Sequence, residues 1–298
     1  SAVQTHSHST LLYWTPSDDN VSVDAYEVYV DGVSRVVADG PRAFIGALSP
    51  GTEYTFEVEA LDPEGNRSAR ASLNLTTPTD DFLNAQETFF PITVDGVASE
   101  TDWMRTVVHP ITTSIEDDNP TLADISGELR ALWDATHLYL FLDITDDDVS
   151  DDDLIADGTG ATQSSDDAFE VYFDLRNNRQ LGYDSDDIQL VFSVGASQSA
   201  ENDLDDDGVT RTFSTASGHF QTVTTATGWA AELALPWSVL DPGGVFTPST
   251  DVQLGFELML MDDDAGGGRD SKLAWSEEMH SGSWTTSQRM STMVLATP

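Results

Sequence analysis

The sequence predicts an all-β protein built of two antiparallel β-sandwiches. Three observations carry this expectation. Apolar and polar residues alternate over short runs, turn-forming residues punctuate those runs, and no stretch sustains a helical apolar period. A polar boundary, Thr76-Thr77-Pro78-Thr79-Asp80-Asp81, divides the chain into an expected first domain, 1–78, and a second, 79–298. With 298 residues and 39% apolar content, each part holds enough apolar side chain for a core of its own.

In the first domain, strands are expected at 11–14, 26–30, 43–46, 54–61 and 72–75. Turn residues separate them, among them Asp31-Gly32, Ser49-Pro50-Gly51 and Pro63-Glu64-Gly65-Asn66. Within the run from Tyr54 to Ala60 the apolar residues fall on every second position, so one face meets a core and the other meets water.

This segment resembles a fibronectin type III domain. The resemblance rests on Leu11 to Pro16, with Trp14 as the buried tryptophan, on Tyr26 to Gly32, and on Leu48 to Tyr54, where Tyr54 is the corner tyrosine whose hydroxyl caps nearby backbone. It implies a spacer or presentation module.

In the second domain, strands are expected at 129–133, 138–144, 168–173, 188–194, 229–235, 252–261 and 293–295, with a one-turn helix starting at Pro236-Trp237. A sandwich of about ten strands with long acidic loops accommodates them. Trp133, Trp229, Trp237 and Trp275 sit among apolar neighbours and are expected in the core, as is Trp103.

Several phrases, in order, make this domain resemble a family 9 carbohydrate-binding module. They include Val94-Asp95-Gly96, Asp102-Trp103, Ala131 to Asp134, Asp167 to Asp174, Gly182 to Gln189, Gly228-Trp229, Pro236-Trp237, Leu254-Gly255-Phe256 and Ala274-Trp275-Ser276. The resemblance implies a site that clamps a sugar between two tryptophans, assisted by glutamate, arginine, glutamine and asparagine. Trp284 falls on the second clamp tryptophan and Glu170 on the glutamate. The first tryptophan aligns near Ser164, the arginine near Val191, the glutamine near Met259 and the asparagine near Ser281, so most of the family's polar set is replaced. A valine cannot supply the charge-assisted hydrogen bonds of an arginine.

Charge sharpens the picture. There are 53 acids, 38 of them Asp, against 11 Arg and one Lys, a net charge of −41. Eleven acids and four Arg precede residue 80, leaving −34 for the remainder. Such a surface repels nucleic acid and anionic membranes, so neither is an expected partner. It suits saline water, where the Debye length falls to a few Å. It also suits calcium: Asp203, Asp205 and Asp207 before Gly208 have the alternate spacing by which carboxylates converge on a hard cation, although Ser214 rather than Glu occupies the twelfth position. Further acidic clusters lie at 146–148, 151–153, 184–187 and 262–264.

With no cysteine, disulfides and thiolate chemistry are excluded. No apolar run of about 18 residues and no signal-peptide pattern occurs, and the chain reads as an excised fragment, monomeric and tethered to further domains in its parent. No nucleophile elbow, metalloprotease helix or phosphate-binding loop is found, and pairs of acids mean little among 53. The expected function is therefore a non-catalytic region of a secreted, extracellular glycan-degrading protein, binding a polysaccharide or oligosaccharide with calcium as a structural ion. The alternative is a calcium-stabilised structural or adhesive cell-surface segment without sugar affinity.

Overall fold

The computed structural model describes residues 3–5, 10–17, 22–46, 48–77, 82–115, 120–149, 167–180, 182–195, 198–202, 211–264, 269–276 and 286–297. The chain separates into two compact units, Ser1–Asp81 and Phe82–Pro298.

The N-terminal unit consists of β1 (Val3–Thr5), β2 (Thr10–Tyr13), β3 (Ala25–Val30), β4 (Val33–Ala38), β5 (Arg42–Ile45), β6 (Glu53–Leu61) and β7 (Ala71–Thr76). They form two antiparallel sheets, ordered β1-β2-β5 and β4-β3-β6-β7. Leu12, Val28, Val30, Ile45 and Phe56 meet between them, as the alternation in β6 requires. Trp14 is half-buried rather than buried and stands edge-on to Tyr26, ring centroids 5.3 Å apart. The Tyr54 hydroxyl accepts a 2.8 Å hydrogen bond from the Ser49 N–H, closing the corner. Strand β4 escapes the sequence reading because two of its three valines face water, with Val33 63% and Val37 62% exposed.

Among its described residues the C-terminal unit contains fourteen strands: β8 (Phe82–Glu87), β9 (His109–Ile111), β10 (Thr113–Ser114), β11 (Ile125–Trp133), β12 (His137–Asp146), β13 (Ala168–Asp174), β14 (Asp187–Ser193), β15 (Gln198–Asn202), β16 (Thr212–Ser214), β17 (Phe220–Thr224), β18 (Gly228–Pro236), β19 (Gln253–Asp262), β20 (Ser271–Ala274) and β21 (Ser291–Ala296). The strands beyond the expected ten are mostly of two to five residues, too short to show an alternation. The expected helical turn is α1 (Trp237–Leu240).

Hydrogen bonds run without a break from β16 through β15, β14, β13, β19, β21, β8, β11, β12 and β18 to β17. Side chains of both halves of this path share one core, so the sheet folds over on itself as a two-layer sandwich: Phe169 of β13 lies 5.9 Å from Trp229 of β18. The expectation of a wholly antiparallel arrangement needs one correction. β8 runs parallel to both its neighbours, β21 and β11. It joins the two halves, and the long excursion between β8 and β11 gives the chain the length that a parallel return needs.

Strands β13 and β14 are buried on both faces. Phe169, Val171 and Phe173 point into the shared core. Their alternates, Ala168, Glu170 and Tyr172, stand on the opposite, outer face.

Candidate functional site: a buried polar floor and an acidic end

On that outer face the pairing register sets Glu170 directly between Val191 of β14 and Met259 of β19. The three positions that the sequence assigns to the glutamate, arginine and glutamine of a sugar site are therefore side by side, and two of them are apolar. Glu170 is only 5% exposed. Its Oε2 accepts hydrogen bonds from the Tyr172 hydroxyl at 2.6 Å and from Lys272 Nζ at 2.7 Å. Tyr172 in turn accepts from Gln189 Nε2 at 2.8 Å. Burial, and then the charge of Glu170, push the Tyr172 hydroxyl well above its usual range, so it remains a hydrogen-bond donor. Ala168, Val191 and Met261 form the apolar part of this floor.

The remaining candidate binding residue, Trp284, lies outside the described residues, as do Ser164 and Ser281. The other tryptophans of this unit are in the interior: Trp103, Trp133, Trp229, Trp237 and Trp275 are all buried.

The second feature is acidic. Asp146 at the end of β12, Asp167 just before β13 and Asp262 at the end of β19 are buried, and one carboxylate oxygen of each lies within 4.8 Å of the others. A second trio, Asp124, Asp262 and Asp264, shares Asp262 and opens toward the surface. Asp146 accepts from the Asp148 N–H at 3.0 Å and from Trp229 Nε1 at 3.2 Å. Asp167 Oδ1 accepts from the Asp263 N–H. Asp262 Oδ2 accepts from the Ser271 hydroxyl, whereas its Oδ1, fully buried, has no hydrogen-bond partner. Burial, with the neighbouring Asp264 next, pushes Asp262 up to about 7, and burial with the Asp147 charge pushes Asp264 to about 6. Carboxylates so placed either hold protons or share a cation, and an all-oxygen set fits a hard divalent ion such as calcium.

Gly228 lets this end close. A Cβ there would lie 2.4 Å from the Ile144 carbonyl oxygen and 2.7 Å from the Asp146 nitrogen, and its φ of +142° suits only glycine.

The sequence places its calcium candidates at Asp203, Asp205 and Asp207, and these lie outside the described residues. The runs 146–148 and 262–264, also noted in the sequence, are the ones the fold brings together. The 184–187 run instead binds its own loop. Asp187 Oδ2 accepts from the Asp184 N–H at 2.7 Å, and Arg176 stands 3.1 Å from Asp186. Sequence reasoning missed Asp124 and Lys272, which have no motif around them. The polar alternates of β13 and β14, out of phase with the core, were the signal for Tyr172 and Gln189.

Comparison with known proteins adds to this geometry. Residues 94–297 match the family model described as carbohydrate family 9 binding domain-like. Endo-1,4-beta-xylanase A of Thermoanaerobacterium saccharolyticum is 24% identical over 239 residues, which are 74% of this chain and 18% of that protein. Chitinase D of Niallia circulans is 43% identical over 72 residues, 24% of this chain and 14% of that enzyme. The chain thus spans less than a fifth of the length of these relatives. Among solved structures, a family 9 carbohydrate-binding module from Caldicellulosiruptor kristjanssonii in complex with cellotriose superimposes with a TM-score of 0.54 at 14% identity, covering 73% of this chain and 95% of that one. That likeness is one of fold.

Proposed function

The chain belongs to the carbohydrate family 9 binding domain-like family through residues 94–297, and from that premise we propose that it is the non-catalytic carbohydrate-binding region of a larger, secreted, glycan-degrading protein. One observation carries the reading. On a sheet face where Ala168, Val191, Met259 and Met261 form an apolar floor, Glu170 is held buried and ready to accept, oriented by Tyr172 and Lys272. A polar group buried beside an apolar floor is the composition by which a pocket orients a sugar's hydroxyls while excluding water. Glu170 is the acceptor and Trp284 the aromatic face on which the pyranose stacks. The ligand is a polysaccharide or oligosaccharide, and a neutral one, because the unit's net charge opposes uronic or sulfated polymers.

The family description and the xylanase and chitinase relatives support attachment to a glycan-degrading, extracellular parent. Among the described residues no helix is long and apolar enough to cross a membrane. The N-terminal unit, with its three- and four-stranded sheets and its Tyr54 corner, is read as a fibronectin type III-like spacer. Calcium is the structural ion, held by Asp146, Asp167 and Asp262 with Asp124 or Asp264 completing the oxygens. The loop with Asp203, Asp205 and Asp207 is a further calcium candidate by its spacing.

A second reading is favoured by Val191 and Met259, which remove two polar side chains beside Glu170. On that reading the unit is a calcium-stabilised structural or adhesive segment that binds no sugar. A glycan array run with and without calcium separates the two. Capture of neutral glycans, weakened by Trp284→Ala, supports the first reading, and a blank array overturns it.

A further inference from the structure

The chain has one lysine among 298 residues, and it is not on the surface. Lys272 leaves β20 at the position paired with Met261. It is buried, and it reaches past β19 to place Nζ 2.7 Å from Glu170 Oε2 on β13. In so acidic a protein, solubility requires no lysine at this position, and removing an ammonium from water is unfavourable unless it meets a partner. The neighbours explain why the cation arrives from β20. Val191 and Met259, which flank Glu170, offer no charge, and the Gln189 amide donates to Tyr172. Lys272 is the one cation that touches the floor's acid among the described residues.

Glu170 uses only one of its oxygens in these contacts. Oε2 takes both the lysine and the tyrosine, while nothing among the described residues donates to Oε1. A carboxylate oxygen left to accept, next to an ammonium that donates, matches two adjacent hydroxyls of a pyranose. One hydroxyl donates to the acid and the other accepts from the base, and the two oxygens lie about a hydrogen-bond length apart.

We propose that Glu170 and Lys272 form a two-point clamp for a vicinal diol of a neutral sugar, with Lys272 the residue that sets specificity. This rests on the carbohydrate-binding reading above and names the ligand class for that site. The pair is already neutral, so a uronate would bring a second carboxylate beside Glu170 without a second cation. A lysine, as a compact rotatable donor, fits hydroxyl oxygens, whereas the planar fork of an arginine is matched to carboxylates.

Calorimetric titration of the whole chain with cellotriose, and with its uronic-acid counterpart cellotriouronic acid, tests this. The wild type is expected to bind cellotriose and to discriminate against the acid. Lys272→Met is expected to weaken cellotriose binding about tenfold or more, the loss of one charged hydrogen bond, and Lys272→Arg to recover part of it. Because either single change strands a buried charge, the neutral double variant Glu170→Gln/Lys272→Met is the control. It is expected to keep a wild-type-like melting temperature and to lose binding. If the double variant binds cellotriose as the wild type does, or if Lys272→Met lowers stability without changing affinity, the pair is structural and the clamp is overturned. If the wild type binds neither cellotriose nor any neutral glycan on an array, the carbohydrate-binding reading itself falls and takes the clamp with it.

Discussion

The indole Nε1 of Trp103 donates a 3.0 Å hydrogen bond to Glu232 Oε1, joining residues 129 positions apart in the chain. The other oxygen of Glu232 accepts from the Asp95 and Gly96 N–H groups at 2.8 and 3.0 Å. One buried carboxylate thus fixes the segment between β8 and β9 over the apolar face made by Leu132, Tyr139, Phe141, Ala230 and Ala234.

Replacing Glu232 with alanine strands three donors, two of them backbone. Two of them, the Gly96 N–H and Trp103 Nε1, are buried, and each unsatisfied buried donor costs about 1–3 kcal/mol, so Glu232→Ala is expected to destabilise the C-terminal unit by about 2 kcal/mol or more in denaturant melts. Glu232→Gln keeps one carbonyl acceptor and is expected to cost less. Equal melts for both variants would show that the staple does not hold this segment.

The 174–187 loop makes a pH prediction. Burial, and then the neighbouring Asp174, push Asp187 up to about 8, and its Oδ1 has no partner. A carboxyl group whose folded pKa lies above its unfolded value binds protons more tightly in the folded state. Its contribution is therefore complete below about pH 4 and is lost as the pH rises toward 8. Asp187→Asn is expected to raise the melting temperature at pH 8 and to leave it nearly unchanged at pH 4.5. A variant equally stabilising at both values would place the effect in packing rather than in the charge.

Gly228 gives the sharpest steric test. An alanine there meets backbone on two sides at a φ that L-residues avoid. Gly228→Ala is expected to cost at least about 2 kcal/mol in thermal or denaturant unfolding, more than Gly218→Ala, where a Cβ meets nothing within 4 Å although the φ is also positive. Similar losses at both glycines would mean that φ alone, without the contact at Asp146, sets the cost.

These sites differ in how far the sequence announces them. Strand β13 is legible because Phe169, Val171, Tyr172 and Phe173 are strong β formers, even though burial on both faces erases the polar alternation. Strand β8 is not, since Leu83 and Ala85 give a weak apolar stripe between Asn84 and Gln86. Glu170 is found through the family phrase around it. Lys272 is visible beforehand only as a lone basic residue, because its partner sits 102 positions away and two strands over. The acidic end shows the same limit: runs of aspartate are read easily, but their convergence from β12, β13 and β19 is a property of register.

That convergence leads to the calcium prediction. Chelated protein titrated with calcium is expected to gain about 2.7 kcal/mol at a hundredfold excess over Kd, which for a unit of this size is roughly 5–10 °C in melting temperature. Asp262 belongs to both carboxylate trios and has a buried oxygen without a partner, so Asp262→Asn removes a ligand and also relieves repulsion. It is therefore expected to melt no lower than the wild type in EDTA, yet to lose more than half of the calcium increment. Sodium chloride at matched ionic strength screens the remaining surface charge, and its smaller effect is expected to be the same in both proteins. A calcium increment that survives Asp262→Asn would assign the ion to other carboxylates, with Asp203, Asp205 and Asp207 the next to replace.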